Sequence, residues 1–199
     1  MPRALVALAL SLLAGVAQAQ PAAEGPPSET LSQALRLYSQ ERYDDARPLF
    51  EAVARGRTED PVNQQQRGEL YFARVCVHLR RYPEAIGALE RIAASGPDNV
   101  SYRSAFHWIV DLHGRAPPGL EPRLITAIGH YHDDALGEYT QPEARVIFAT
   151  GAYLLGRARV EQHRYEEALA LFRRVPENTR VSAPAREWTH RVLATIGPQ

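Results

Sequence analysis

The sequence predicts an all-α fold, a solenoid of antiparallel helical hairpins with about nine helices, the last of them a C-terminal cap helix. Three observations predict it. The chain has 199 residues, of which 45% are hydrophobic and 23% charged, the proportions of a globular chain and not of a disordered one. Apolar residues recur at steps of three and four, in stretches broken by short linkers containing Pro or Gly, which is the period of an amphipathic helix. One pattern of residue types also occurs three times with the same internal offsets, starting at Ala34, Ala73 and Gly156.

The N-terminus reads as an address. Arg3 gives a short basic start, and residues Ala4 to Val16 are all small or apolar. At ~1.5 Å per residue that stretch spans about 20 Å, short of a ~30 Å hydrocarbon core. Ala17-Gln18-Ala19 is a small-x-small cleavage site, so residues 1–19 are expected to be a signal peptide cut before Gln20. There is no twin arginine, which favours the general secretory route, and no cysteine near the cut to carry a lipid anchor. The expected location is the bacterial periplasm, with secretion as the alternative and no stable membrane anchor after cleavage. The bacterial setting is inferred from the signal and from a chain whose basic residues are all arginine. Residues 20–29 (QPAAEGPPSE) are rich in Pro, Ala and Gly and read as a flexible leader.

Residues 30–197 form the helical domain, with clear units at about 30–56, 66–97 and 149–176. Each unit opens on a small residue: Ala34, Ala73 or Gly156. At fixed offsets from it follow Arg42, Arg81 and Arg164, then Tyr43, Tyr82 and Tyr165. Next come Ala46, Ala85 and Ala168, then Phe50, Leu89 and Phe172, and last Val53, Ile92 and Val175. The last three sets step by four and three, so they share one helix face. The small residues let two helix axes approach, and the tyrosine marks the turn. Acidic residues after it (Asp44, Asp45, Glu84, Glu166, Glu167) suit a helix N-terminus. Pro83 suits a first turn, whereas Pro48 is tolerable only if it also lies near one.

Between the second and third units, residues 98–141 lack the tyrosine–alanine signature, and an irregular hairpin is expected there. Its helices are read from Val100 to His113 and from Leu120 to about Leu136, separated by Ala116-Pro117-Pro118-Gly119. The cap helix is read over residues 184–196, apolar at Trp188, Val192, Leu193 and Ile196.

These spacings resemble the tetratricopeptide repeat, whose ~34-residue unit places small residues, aromatics and a final proline in this order. The resemblance is most specific at Leu155-Gly156-x-Ala158 with Tyr165-Glu166-Glu167-Ala168-Leu169 and Phe172, and Pro97 stands where a unit-ending proline belongs. It implies a TPR-like solenoid that acts as a protein–protein interaction adaptor, with a concave groove lined by the first helix of each hairpin. On that reading the groove residues are Leu31, Leu35 and Tyr38, then Arg67, Leu70, Arg74 and Val77, then Thr150, Tyr153, Arg157 and Val160. Leu31 and Leu35 stand where members that clamp a terminal carboxylate carry polar donors, so that specificity is not carried over. An apolar and aromatic stretch followed by arginines instead fits a peptide with apolar and acidic side chains.

Composition and motifs narrow the function. Basic and acidic residues number 23 each, without the basic excess that a nucleic-acid binder needs, and no nucleic-acid partner is expected. The lone Cys76 falls on a packing position, which suits an inert buried thiol. His130-Tyr131-His132-Asp133-Asp134 is the densest cluster of metal-ligand residue types, but a helix would point the two histidines about 200° apart. No metal or cofactor is expected, nor are there HExxH, GxSxG or glycine-rich phosphate motifs. The chain therefore reads as no enzyme. The alternative to an adaptor is a binding module for a cell-wall or small-molecule ligand, which an aromatic-rich, polar pocket in the irregular middle would favour.

Overall fold

A computed structural model of the chain describes residues 26–197. The expected signal peptide, and the leader up to residue 25, lie outside the described residues. Within them the protein is an all-α solenoid. Its helices are α1 (Glu29–Ser39), α2 (Tyr43–Ala54), α3 (Val62–His78), α4 (Tyr82–Ala94), α5 (Tyr102–His113), α6 (Glu121–Ile128), α7 (Arg145–Glu161), α8 (Tyr165–Arg173) and α9 (Ser182–Ile196). Consecutive helices pack side by side, α1 on α2, α2 on α3, α3 on α4 and α7 on α8.

The recurring Arg-Tyr pair has a structural cause. Glu41, Arg80 and His163 take φ of 59°, 58° and 59°, the left-handed conformation that ends a helix. The arginine that follows each one donates its N–H five residues back, to Leu37 O, Cys76 O and Arg159 O at 2.9, 2.7 and 2.8 Å. The left-handed residue donates three back, to Tyr38 O, Val77 O and Val160 O, at 3.0 Å each time. This pair of bonds is the Schellman motif, and it closes all three hairpins. The arginine side chain then reaches forward to Asp45, Glu84 or Glu167 on the first turn of the next helix. Tyr43, Tyr82 and Tyr165 open α2, α4 and α8.

The repeated apolar positions form the core. Ala34, Ala46, Phe50, Val53, Ala85, Leu89, Ile92 and Ala168 are all 0% exposed, and Ala73 and Phe172 are nearly so. The close approach shows at two glycines. A Cβ on Gly156 would lie 2.5 Å from the Phe172 ring, and one on Gly68 would lie 2.5 Å from Val53 Cγ1.

Four expectations are corrected. The leader is not free at its end: Ser28 caps α1 by accepting from Leu31 N at 3.1 Å, and it is itself held by Asp60. The Asp60 carboxylate accepts from Ser28 N at 2.8 Å, Ser28 Oγ at 2.6 Å and Thr58 Oγ1 at 2.7 Å. Pro48 lies in the second turn of α2, beyond the first turn that sequence reasoning required, and the helix continues past it to Ala54. In the cap helix, Ala185 and Val192 point inward, but Leu193 and Ile196 are 44% and 38% exposed.

The middle of the chain also departs from expectation. The helix expected to reach Leu136 stops at Ile128, and a 3-10 segment, Asp133–Tyr139, takes its place. Arg159 of α7 causes the stop. Its side chain is 1% exposed and donates to Tyr131 O at 2.8 Å, Asp133 Oδ1 at 2.9 Å and Gln162 Oε1 at 3.1 Å, with Gly129 O at 3.5 Å. The carbonyls at the end of α6 thus find a guanidinium in place of a further helical turn. Tyr131 is buried beside it, donating its hydroxyl to Tyr102 O at 2.7 Å.

The Asp60 network yields a first prediction. Burial alone would raise the Asp60 carboxyl, but its hydrogen bonds from Ser28 and Thr58 outweigh that and hold it below the usual carboxylate range. A lowered pKa stabilises the fold above the unfolded value, and the benefit is lost as pH falls through the folded one. Asp60→Asn should lower stability by about 1 kcal/mol at pH 7, the scale of one net hydrogen bond. The gap should narrow below about pH 4, where the parent carboxyl is also protonated in the unfolded chain. Urea denaturation at both pH values, followed by circular dichroism, measures it; a gap that widens in acid would contradict the assignment.

Candidate functional site

The first helices of three successive hairpins meet at one arginine. The Arg74 guanidinium of α3 lies 5.0 Å from the ring centre of Tyr38 on α1, 4.9 Å from Tyr71 on α3 and 5.5 Å from Trp108 on α5. Three aromatic faces hold one cation, an arrangement that favours a desolvated guanidinium. Arg74 Nε is buried and has no hydrogen-bond partner among the described residues. No described carboxylate pairs with Arg74, whereas Arg42, Arg81, Arg91 and Arg164 each hold one.

The rings around Arg74 are braced in turn. Tyr38 meets Tyr43, Phe50 and Tyr71 edge-on at 5.6, 6.2 and 5.3 Å, and His78 stacks on Tyr43 at 4.2 Å. Burial raises the Tyr38 phenol, more than the adjacent Arg74 lowers it. Burial, helped by the charges of Arg74 and Arg115, lowers the His78 imidazole. Both shifts favour the neutral forms of Tyr38 and His78 beside the Arg74 guanidinium.

α5, which carries Trp108, also borders a cleft of about 1060 Å³ that it shares with α7 and the loop before α9. Val110 and Asp111 of α5 line it, with Ile147 and Thr150 of α7, and so do Arg145 and Arg180. The carboxylates here are already taken: Asp111 pairs with Arg115 at 3.0 Å, and Glu121 with Arg157 at 2.9 Å. Arg145 spends one donor on Glu177 O at 2.8 Å, and Arg180 has no ion pair among the described residues. The cleft is therefore short of negative charge. His113 lines it as a largely neutral ring, because burial, the strongest influence, lowers its pKa.

The groove residues expected from sequence divide into three groups. Tyr38 and Arg74 come together in the cluster just described. Leu35, Arg67, Leu70, Thr150 and Val160 are part-exposed. Leu31, Val77, Tyr153 and Arg157 are committed inside the protein. Leu31 and Val77 are core residues at 2% and 6% exposure, and Tyr153, at 5%, forms cleft floor. Arg157 donates to Glu121 Oε1 at 2.9 Å and to Tyr153 Oη at 3.0 Å, and its guanidinium lies 4.0 Å from the Trp188 ring centre. It ties α6, α7 and α9 together and is not poised for a partner.

Sequence reasoning missed Tyr71, Trp108 and Arg180. Tyr71 stands one helical turn before Arg74, a signal that was available. Trp108 and Arg180 take their places only through the packing of the irregular middle. Residues His130 to His132 lead into the 3-10 segment that begins at Asp133, with Tyr131 buried and Asp133 held by Arg159. Among the described residues no group of three or more His, Cys, Asp or Glu side chains is placed to hold a metal ion. Cys76 is 0% exposed, and burial pushes its thiol up to about 12, so it stays protonated and inert at neutral pH. Among the described residues no helix is long and apolar enough to cross a membrane.

Comparison with known proteins supports the repeat reading over part of the chain. Residues 31–100 match a family model described as tetratricopeptide repeat, which takes in most of α1 and all of α2, α3 and α4. The third hairpin of this type, α7 with α8, lies outside the matched residues. No curated protein and no solved structure matches the chain.

Proposed function

We propose that the protein is a non-catalytic adaptor of the bacterial cell envelope that binds a peptide segment of a partner protein on the face shared by α1, α3 and α5. Tetratricopeptide repeats generally mediate protein–protein interaction, and residues 31–100 carry that family's pattern. The observation that carries the reading is Arg74, a caged guanidinium on the first-helix face without a carboxylate of its own among the described residues. Held in place beforehand, it loses little freedom when an anionic side chain arrives, and partial burial strengthens the pair. The neighbouring Tyr38, Leu35 and Leu70 supply apolar contact, and the adjacent cleft adds Arg145 and Arg180. The segment recognised is one with apolar and acidic side chains. The N-terminal signal sends the chain to the periplasm, where the partner is met.

Selection of displayed random peptides on the purified protein tests the specificity. Sequences combining Asp or Glu with aliphatic or aromatic residues should be enriched. Enrichment of basic peptides would contradict the reading. Fractionation tests the location: the mature chain should begin at Gln20 in the periplasmic fraction, and a chain beginning at Met1 in the cytoplasm would refute export.

A further inference from the structure

We propose that a second, smaller pocket, at the N-terminal end of α5, is a binding subsite for the head of an organic cation. This goes beyond the peptide-binding face and does not depend on it. The pocket holds about 180 Å³; the part-exposed Tyr102 and Tyr139 line it, backed by Phe106 and Tyr131 at 1% exposure each, with Asp134 and Glu138 beside them. The rings form two pairs: Tyr102 with Tyr131 at 4.3 Å, and Phe106 stacked with Tyr139 at 5.6 Å. Tyr131 and Phe106 join the pairs edge to face at 5.0 Å.

The volume sets the size of the ligand group. A water takes up ~30 Å³ of liquid, so the pocket has room for about six water-sized groups. That suits a trimethylammonium or guanidinium head and is below the range for a whole drug-sized ligand. Charge and ring chemistry set its sign. Aromatic faces are electron-rich and attract cations, most strongly where water is partly excluded. The two carboxylates, four residues apart on the 3-10 segment Asp133–Tyr139, add the same preference. Asp134 is exposed and makes no ion pair among the described residues.

The protein already supplies a weak occupant of the rim. Arg103 Nη1 lies 2.7 Å from Glu138 Oε1, but the Arg103 side chain is 83% exposed. An exposed pair of this kind contributes little, so an incoming cation displaces it readily. Arg103 is thus an internal competitor, and removing it should tighten binding.

The test is an NMR titration of the purified full chain, labelled on its tyrosine rings, at constant chloride concentration. Choline is compared with 3,3-dimethylbutan-1-ol, which has the same shape without the charge. Saturable shifts of the Tyr102 and Tyr139 resonances are expected with choline, and binding at least about tenfold weaker for the alcohol. Arg103→Ala should tighten choline binding about threefold, and Asp134→Asn should weaken it by a similar factor. Tyr139→Leu should weaken it further; Asp134 is exposed, so its variant gives an answer even if Tyr139→Leu fails to fold. N-acetyl-argininamide separates the two sources of such a head: tighter binding than choline points to an arginine side chain of a partner, and weaker binding to a free quaternary ammonium. Equal shifts from choline and the alcohol, no saturation, or no change in Asp134→Asn and Arg103→Ala would overturn the proposal.

Discussion

Arg159→Ala should destabilise the protein by about 3–5 kcal/mol, the largest effect expected of any single substitution discussed for this chain. The guanidinium is 1% exposed and serves Tyr131 O, Asp133 Oδ1, Gln162 Oε1 and Gly129 O together. Its remaining nitrogen, Nε, has only the Glu167 carboxylate, at 3.6 Å. Removing the side chain strands buried carbonyls, which lose water and gain nothing in return. Arg159→Met keeps the aliphatic stem and still loses every one of these bonds, so it should recover only a minor part of the loss. The exposed Arg173→Ala should stay within about 0.5 kcal/mol of the parent. Urea denaturation followed by circular dichroism gives all three values. Hydrogen exchange should show the loss first in residues 129–139, which Arg159 pins to α7. An Arg159→Ala protein as stable as Arg173→Ala would mean that the irregular middle is held by something else.

Gly156→Ala should lower stability by about 1–2 kcal/mol, although alanine is the better helix former by about 1 kcal/mol. The new Cβ would lie 2.5 Å from Phe172 Cε1 and 2.7 Å from Cδ1, and that ring is only 4% exposed, so it has little room to withdraw. Gly87 provides the control, because it is also helical and a Cβ there meets nothing nearer than 3.5 Å. Gly87→Ala should therefore stabilise by up to about 1 kcal/mol through propensity alone. The opposite signs separate close approach from helix propensity. Gly156→Ala combined with Phe172→Leu should couple favourably, the second change making room for the first. If Gly156→Ala and Gly87→Ala both stabilise, the hairpin does not need its small residue.

The hairpins were legible in the sequence because their determinants are local and repeated. Small residues at Ala34, Ala73 and Gly156, tyrosines at the turns, and large apolar residues at Phe50, Leu89 and Phe172 state the packing directly. The repeated arginine was visible, but its cause was not. The left-handed turn residues are Glu41, Arg80 and His163, where glycine would have announced the turn. The end of α6 was not legible either. It depends on Arg159, about thirty residues further along, and an arginine at a first-helix position reads from sequence as surface. The same holds for the site. Tyr38 and Arg74 follow from register within a unit, but Trp108 joins them through an irregular hairpin that no repeat pattern positions. Arg157 matched the pattern as well as Arg74 did, and only its pairing with Glu121 and Trp188 shows that it is spent inside the fold.

One comparison decides whether Arg74 receives the anionic group on the first-helix face. Peptides selected on the parent protein are titrated into Arg74→Glu and Arg173→Glu, the second charge reversal lying on the exposed side of α8. Binding should weaken at Arg74→Glu by about 1.5–3 kcal/mol, the scale of a hydrogen bond to a charged group, and stay near the parent value at Arg173→Glu. Equal affinity for the two variants would contradict the assignment of the face and of the residue that governs it.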